Sequence, residues 1–154
     1  HPNLAPYQPF PCTDGMVVIA VGNDGQFRAL AGALGTPGLG ADPRFLTNAL
    51  RIEHRAVMTA ELSALTAGQT MHGLMAALEA AGVPCGPVNT IDQVFDEPQA
   101  KHRGLEVTQS RADLSAPVRT VASPIRMSLT PVAYDRAPPA LGQDTDEVLD
   151  SLRP

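Results

Sequence analysis

Five residues, Gly22-Asn23-Asp24-Gly25-Gln26, separate an apolar run, Met16 to Val21, from a segment with helical periodicity. Backbone amides at a helix start favour an oxyanion or a carboxylate. The same residues also serve as a plain helix start: Asn23 or Asp24 as the cap, Gly22 for the turn. The two readings are compatible. The stretch fails the dinucleotide fingerprint, whose second glycine would stand where Asp24 does, and no Gly-Lys-Ser/Thr follows to make a phosphate loop. The other reactive residues are scattered. His1, His54, His72 and His102 form no i, i+4 pair with one another or with a Cys, so no metal site is expected. No Gly-x-Ser-x-Gly elbow occurs. Asp92, Asp96 and Glu97 read as capping and solvating acids, and no self-sufficient catalytic set emerges.

These residues need elements to place them. The stretch 6–21 reads as a hairpin, with Asp14-Gly15 as its turn and a central second strand covered on both sides. Phe27, Leu30, Ala31 and Leu34 form one helical stripe that Gly35 ends. Residues 36–45 read as loop, with Asp42-Pro43 as a cap and first helical position. A long helix over about 47–65 buries Leu50, His54, Val57, Met58, Leu62 and Leu65. Thr70 caps a further helix, with Met71, Leu74, Met75 and Leu78 inward and Gly82 at its end. "GVPCGPVNT" reads as an extended crossing rather than a regular strand. Short helices follow at 91–95 and 98–102. Residues 105–108 and 118–121 read as two strands. Residues 123–143, with Pro124, Pro131, Pro138 and Pro139, read as a tail laid over another surface. A closing helix, capped by Asp144 or Thr145, turns Val148, Leu149 and Leu152 inward.

At 154 residues one compact core is expected. Aromatics make up 4% and Trp is absent, so the core is aliphatic. The net charge is −5, Lys101 is the only Lys and no basic run occurs, so nucleic acid is not an expected partner. No apolar stretch approaches the roughly 18 residues of a membrane span, so a membrane is not expected either, and the localisation read from this is cytoplasmic. Cys12 and Cys85 read as reduced thiols. The chain opens on His1-Pro2-Asn3 without Met, which gives the expectation of a segment of a longer protein.

The blocks "HPNLAPYQPFPCTDGMVVIAVGNDGQF", "DPRFLTN", "AGVPCGPVNTIDQVFDEPQAKHRG" and "VASPIRMSLTP…RAPPALGQDTDEVL" resemble the C-terminal part of family III coenzyme A (CoA) transferases. They stand in that family's order and span nearly the whole chain. The resemblance implies an α+β fold: the family's small domain, with a small, mostly antiparallel sheet packed on several helices, then an irregular Pro-rich tail and a C-terminal helix. It divides the chain into a small-domain core, 1–104, and a return segment, 105–154, that docks on a large domain. It also implies interlocked homodimers, an acyl-CoA and a carboxylic acid as substrates, and no permanently bound cofactor.

In the transferases of this family an Asp carboxylate attacks the acyl-CoA carbonyl and forms a mixed anhydride, after which CoA passes to an incoming acid. That Asp lies in the large domain, so no catalytic residue is assigned in this sequence. A glycine-bearing loop of the small domain covers the site and excludes water, and Gly22, Asn23, Asp24, Gly25 and Gln26 occupy its place. In the related acyl-CoA racemases a Glu precedes the Gln-Phe pair with one residue between, and Asp24 matches it. A racemase of the α-methylacyl-CoA type would use that acid for proton transfer beside the thioester. The loop here is one residue shorter than the racemase form, and Asp replaces Glu. The transferase reading is therefore preferred. A catalytically silent, dimer-forming module is the third reading.

Overall fold

The computed structural model describes residues 1–153. The fold is α+β and separates into two compact units, His1–Val88 and Asn89–Pro154.

The first unit opens with strands β1 (Tyr7–Cys12) and β2 (Gly15–Ala20), paired antiparallel from Tyr7 opposite Ala20 to Cys12 opposite Gly15. The turn between them is Thr13-Asp14, one residue earlier than the Asp14-Gly15 reading. Helix α4 (Met71–Ala80) fixes that turn: Thr13 N–H donates to the Gln69 carbonyl (2.9 Å), and Asp14 Oδ1 accepts from Met71 N–H (2.7 Å). Gly15 takes φ of +156°, which favours glycine, and a Cβ there would also stand 2.6 Å from Met71 Sδ. "GVPCGPVNT" does contain a strand, β3 (Cys85–Pro87), which pairs antiparallel with β2 and gives the order β1-β2-β3. Pro84 and Pro87 disguise it, yet proline is tolerated on an edge strand. Pro9 and Pro11 sit on the opposite edge for the same reason.

β2 is central, but within its unit it is covered on one face only. Val17 and Ile19 are fully buried, whereas Met16 is 40% exposed and Val18 and Ala20 are half-buried. Behind the covered face lie α1 (Asp24–Ala33), α3 (Arg55–Thr66) and α4. Their stripes supply Phe27, Leu30, Met58, Leu62, Leu74 and Leu78, all at or near zero exposure. Each such side chain contributes about 1.5–3 kcal/mol by leaving water. Gly35 and Gly82 end α1 and α4 with φ of +72° and +69°, and the residue after each donates back five positions, Thr36 to Ala31 and Val83 to Leu78 (both 2.9 Å).

The long helix expected at 47–65 is two helices, α2 (Asn48–Glu53) and α3, broken at His54. No Gly or Pro marks the break. Val57 is consequently 44% exposed rather than inward, while Arg51 is buried. No helix starts at Asp42-Pro43. A short 3-10 turn, Pro37–Ala41, ends there, and Asp42 spends its carboxylate on Arg44, accepting from the backbone N–H (2.9 Å) and from Nη2 (2.6 Å). Thr47 caps α2 instead.

The second unit holds α5 (Ile91–Asp96), α6 (Pro98–His102), strands β4 (Glu106–Gln109) and β5 (Val118–Val121) in antiparallel register, and α7 (Thr145–Ser151). The texture change after Gly104 falls inside it, at the entry to β4. Its tail has no regular structure but is pinned: Gln109 Nε2 donates to the Tyr134 carbonyl (2.9 Å) and to that of Arg136, and Arg111 Nη1 to that of Pro138 (3.1 Å). Ala100 is the one buried hydrophobic residue among its described residues. The α7 residues expected inward, Val148, Leu149 and Leu152, are 54%, 53% and 74% exposed. The helix is amphipathic, and its apolar face is left uncovered within its unit.

Candidate active-site loop

The loop forms because β2 ends at Ala20 and α1 starts only four residues later. Val21 is buried and ties back through its N–H to the Pro6 carbonyl (2.9 Å). The next residues close on themselves. Asn23 is the cap of α1: its Oδ1 accepts from Gln26 N–H (2.9 Å). Gln26 reaches back, its Oε1 accepting from Gly22 N–H (2.7 Å). This is a variant of the capping box, with Asn in the Ser/Thr place and the Gln26 side chain on the N–H before the cap rather than on the cap's own. Of the two capping choices, Asn23 is the cap and Asp24 the first helical residue. Gly22 and Gly25 are exposed, and neither takes a positive φ. Their smallness serves the box instead, because a Cβ at Gly25 would stand 3.2 Å from Asn23 Oδ1.

Asp24 is held from beneath. Its Oδ1 accepts from Arg51 Nη2 (2.8 Å), and the two side chains are 43% and 1% exposed. Arg51 also donates from Nε to the Ala5 carbonyl (2.7 Å) and from Nη1 to the Phe45 carbonyl (2.9 Å). Its guanidinium lies over the Phe27 ring, 4.7 Å from the centroid, and Phe27 meets Phe45 edge-on. A buried cation is tolerable only with its donors used and its charge balanced, and this one has both. The sequence reading passed over Arg51. The available signal was its spacing of seven and eleven residues before Met58 and Leu62, which puts a charge on the apolar phase.

The remaining reactive groups stay apart from the loop. Cys12 and Cys85 are free, and burial raises both thiols above their usual range, with Asp14 and Glu79 adding to it. They are therefore thiols rather than thiolate nucleophiles at neutral pH. Among the described residues no group of three His, Cys, Asp or Glu side chains is placed to hold a metal ion. No helix among them is long and apolar enough to cross a membrane. A cleft of about 840 Å³ lies in the second unit among Ile91, Phe95, Lys101, Glu106, Arg119 and Val121. Its two cations are already paired, Lys101 with Asp96 (3.0 Å) and Arg119 with Glu106 (2.5 Å). The Arg119 pair also holds the Glu106 carboxyl below its usual range.

The sequence profile described as CoA-transferase family III matches residues 1–145. The succinate–glutarate CoA-transferase of Agrobacterium fabrum is 40% identical over 152 residues, covering 99% of this chain and 38% of the relative. The human succinyl-CoA:glutarate CoA-transferase is 32% identical over 149 residues, covering 97% of this chain and 34% of the relative. The crystal structure of a CaiB/BaiF family protein from Brucella suis superposes with a TM-score of 0.83 at 38% identity, over 99% of this chain and 39% of that one. The chain thus spans under two-fifths of the length of these proteins. The match along the sequence and the agreement of the fold lead to one assignment: this chain belongs to CoA-transferase family III.

Proposed function

We propose that the chain is the small-domain and return segment of an acyl-CoA:carboxylate CoA-transferase. Residues 22–26 form the lid of its active site, and residues 105–154 dock on a large domain that carries the nucleophilic Asp. In the reaction that Asp carboxylate attacks the thioester carbonyl, the C–S bond breaks, and CoA leaves as the thiolate from a mixed anhydride. The thiolate then attacks the aspartyl carbon and releases the donor acid. The acceptor carboxylate then attacks the aspartyl thioester, expelling the CoA thiolate and forming a second mixed anhydride, and the thiolate attacks the acceptor's acyl carbon, giving the new thioester and freeing the Asp carboxylate. Each intermediate is an activated acyl group that water would destroy, so a lid that excludes water is a chemical requirement.

The observation that carries this reading is the build of the loop. It presents Gly22 and Gly25 outward on a self-capped helix start, and its one carboxylate, Asp24, is tied through Oδ1 to Arg51. The racemase alternative needs Asp24 to exchange a proton. Asp24 Oδ1 is instead engaged by a buried guanidinium, which favours the transferase. Relatives named for succinate and glutarate suggest four- and five-carbon dicarboxylates as donor and acceptor acids. The bare apolar side chains of the second unit, Leu129 at 92% and Leu152 at 74% exposed among them, support docking and a homodimer. By the same reading the parent is cytoplasmic, and the 154-residue chain alone is inactive.

The test is to incubate the full-length protein with succinyl-CoA and glutarate and follow the CoA by mass spectrometry. Glutaryl-CoA formation is the expected result. Deuterium uptake at the α-carbon without an acceptor acid would establish the racemase instead, and turnover by the 154-residue chain would end the claim that its nucleophile lies elsewhere.

A further inference from the structure

The Arg51–Asp24 pair under the loop has a part to play beyond stability. The Asn23–Gln26 box is internal to the loop and the first turn of α1, so it fixes the loop's shape. It does not fix where the loop stands on the domain. Arg51 does that. One guanidinium joins three separate stretches: the Ala5 carbonyl before β1, the Phe45 carbonyl after the 3-10 turn, and Asp24 at the head of α1. The first two acceptors belong to fully buried residues, so the cation cannot follow Asp24 outward without leaving them. Asp24 is the residue next to the cap, and any displacement of the loop breaks the pair.

We propose that Arg51 is a positioning residue of the reaction, acting through Asp24 to hold the 22–26 lid in the place where it shuts out water. This inference rests on the lid reading above. The acid beside the cap is then the lid's anchor, not a proton carrier. Lysine cannot replace Arg51, because one ammonium cannot span three acceptors set around a planar fork. Glutamate can replace Asp24, because its carboxylate reaches the same guanidinium from an exposed position.

The experiment uses the full-length protein and reads the ratio of CoA transferred to acceptor acid over thioester lost to water. Asp24→Asn and Arg51→Lys are each expected to lower that ratio about tenfold, the scale of a small misplacement of a closing element. Asp24→Glu is expected to restore it to within about threefold of the unaltered protein. Circular dichroism and thermal melting check that each variant is folded. Asp24→Asn keeps an acceptor oxygen at an exposed site, so it decides the matter should Arg51→Lys fail to fold. Asn23→Ala, which spoils the shape of the loop, separates the two claims. A fall in the ratio for Asn23→Ala with none for a folded Asp24→Asn overturns the positioning role and leaves the lid. No fall for either overturns the lid, and the positioning role with it. A loss of overall rate at an unchanged ratio also overturns the positioning role, since a merely structural residue would produce that.

Discussion

Replacing Arg51 by Met is the severest single test of how the first unit is held together. Met matches much of the side chain's bulk and fills the apolar part of the site against Phe27. It leaves three acceptors behind. The carbonyls of Ala5 and Phe45 belong to residues with no exposure, and nothing else in the structure donates to them from that side. Each buried orphan costs about 1–3 kcal/mol. Asp24 is 43% exposed and can turn to water, so its loss adds only the worth of a screened pair, about 0–1 kcal/mol. The expected destabilisation is therefore about 2–7 kcal/mol, most of it from the two orphaned carbonyls. That is a large share of the roughly 5–15 kcal/mol that holds a domain folded. The assay is urea denaturation of the 154-residue chain, followed by far-ultraviolet circular dichroism, since there is no Trp to report by fluorescence. Arg51→Met and Asp24→Asn, alone and together, complete a cycle whose coupling is expected at about 1 kcal/mol or less. A loss below about 1 kcal/mol for Arg51→Met would mean that the carbonyls find other donors, and the claim that one guanidinium binds three stretches would fall.

Two further outcomes follow from local geometry. Asn23→Ala removes the acceptor for Gln26 N–H and is expected to lower stability by about 0.5–2 kcal/mol, with Gln26→Ala adding little in the double variant because the two bonds form one box; urea titrations of the three variants measure it. Arg44 beside Asp42, bonded through its side chain and its backbone N–H, holds that carboxyl down at about 2. A carboxyl depressed in the folded state stabilises fully above its unfolded value of about 3.9 and loses that contribution as pH falls through the folded one. The acid limb of stability between about pH 4 and 2 is therefore expected to flatten in Asp42→Asn, and carbon-13 titration of Asp42 is expected to rise towards the ordinary carboxylate range in Arg44→Met, which keeps only the backbone N–H.

What the sequence made legible was whatever local periodicity determines. Phe27, Leu30, Ala31 and Leu34 lie on the buried face of α1, and Leu74 and Leu78 on that of α4, as their spacing requires. Gly35 and Gly82 end those helices because the backbone there turns to positive φ. Strand β5 lies at 118–121 as read, and β4 one residue later than read, at 106–109. Elsewhere a single signal stood for two outcomes. Asp42-Pro43 has the composition of a helix start, but a guanidinium two residues on competes for the same carboxylate and wins with three side-chain contacts. Two prolines hid β3, since edge position is not visible in one strand's own residues. The break at His54 carries no breaker, so the phase of the apolar stripe was followed through it and Val57 was placed inward.

The candidate site was half legible for a related reason. Its loop is a local object, a cap and three neighbours, and local spacing found it. Its anchor is not local: Arg51 is 27 residues from Asp24 and 46 from Ala5. Charge on an apolar stripe was the one trace it left, and a charge there is compatible with a break, a snorkelling side chain or a buried pair until the partners are known. The contrast between the two units sharpens the point. The first buries a continuous core and places its one buried cation beneath the loop. The second buries little but Ala100 among its described residues, while Ile91, Leu129 and Leu141 lie open at 83%, 92% and 107%. A closing element must keep its shape when its partner surface is absent, and that requires a core of its own. The loop stands on the unit that has one, which is the physical reason to look for the lid at Gly22–Gln26 rather than in the cleft of the second unit.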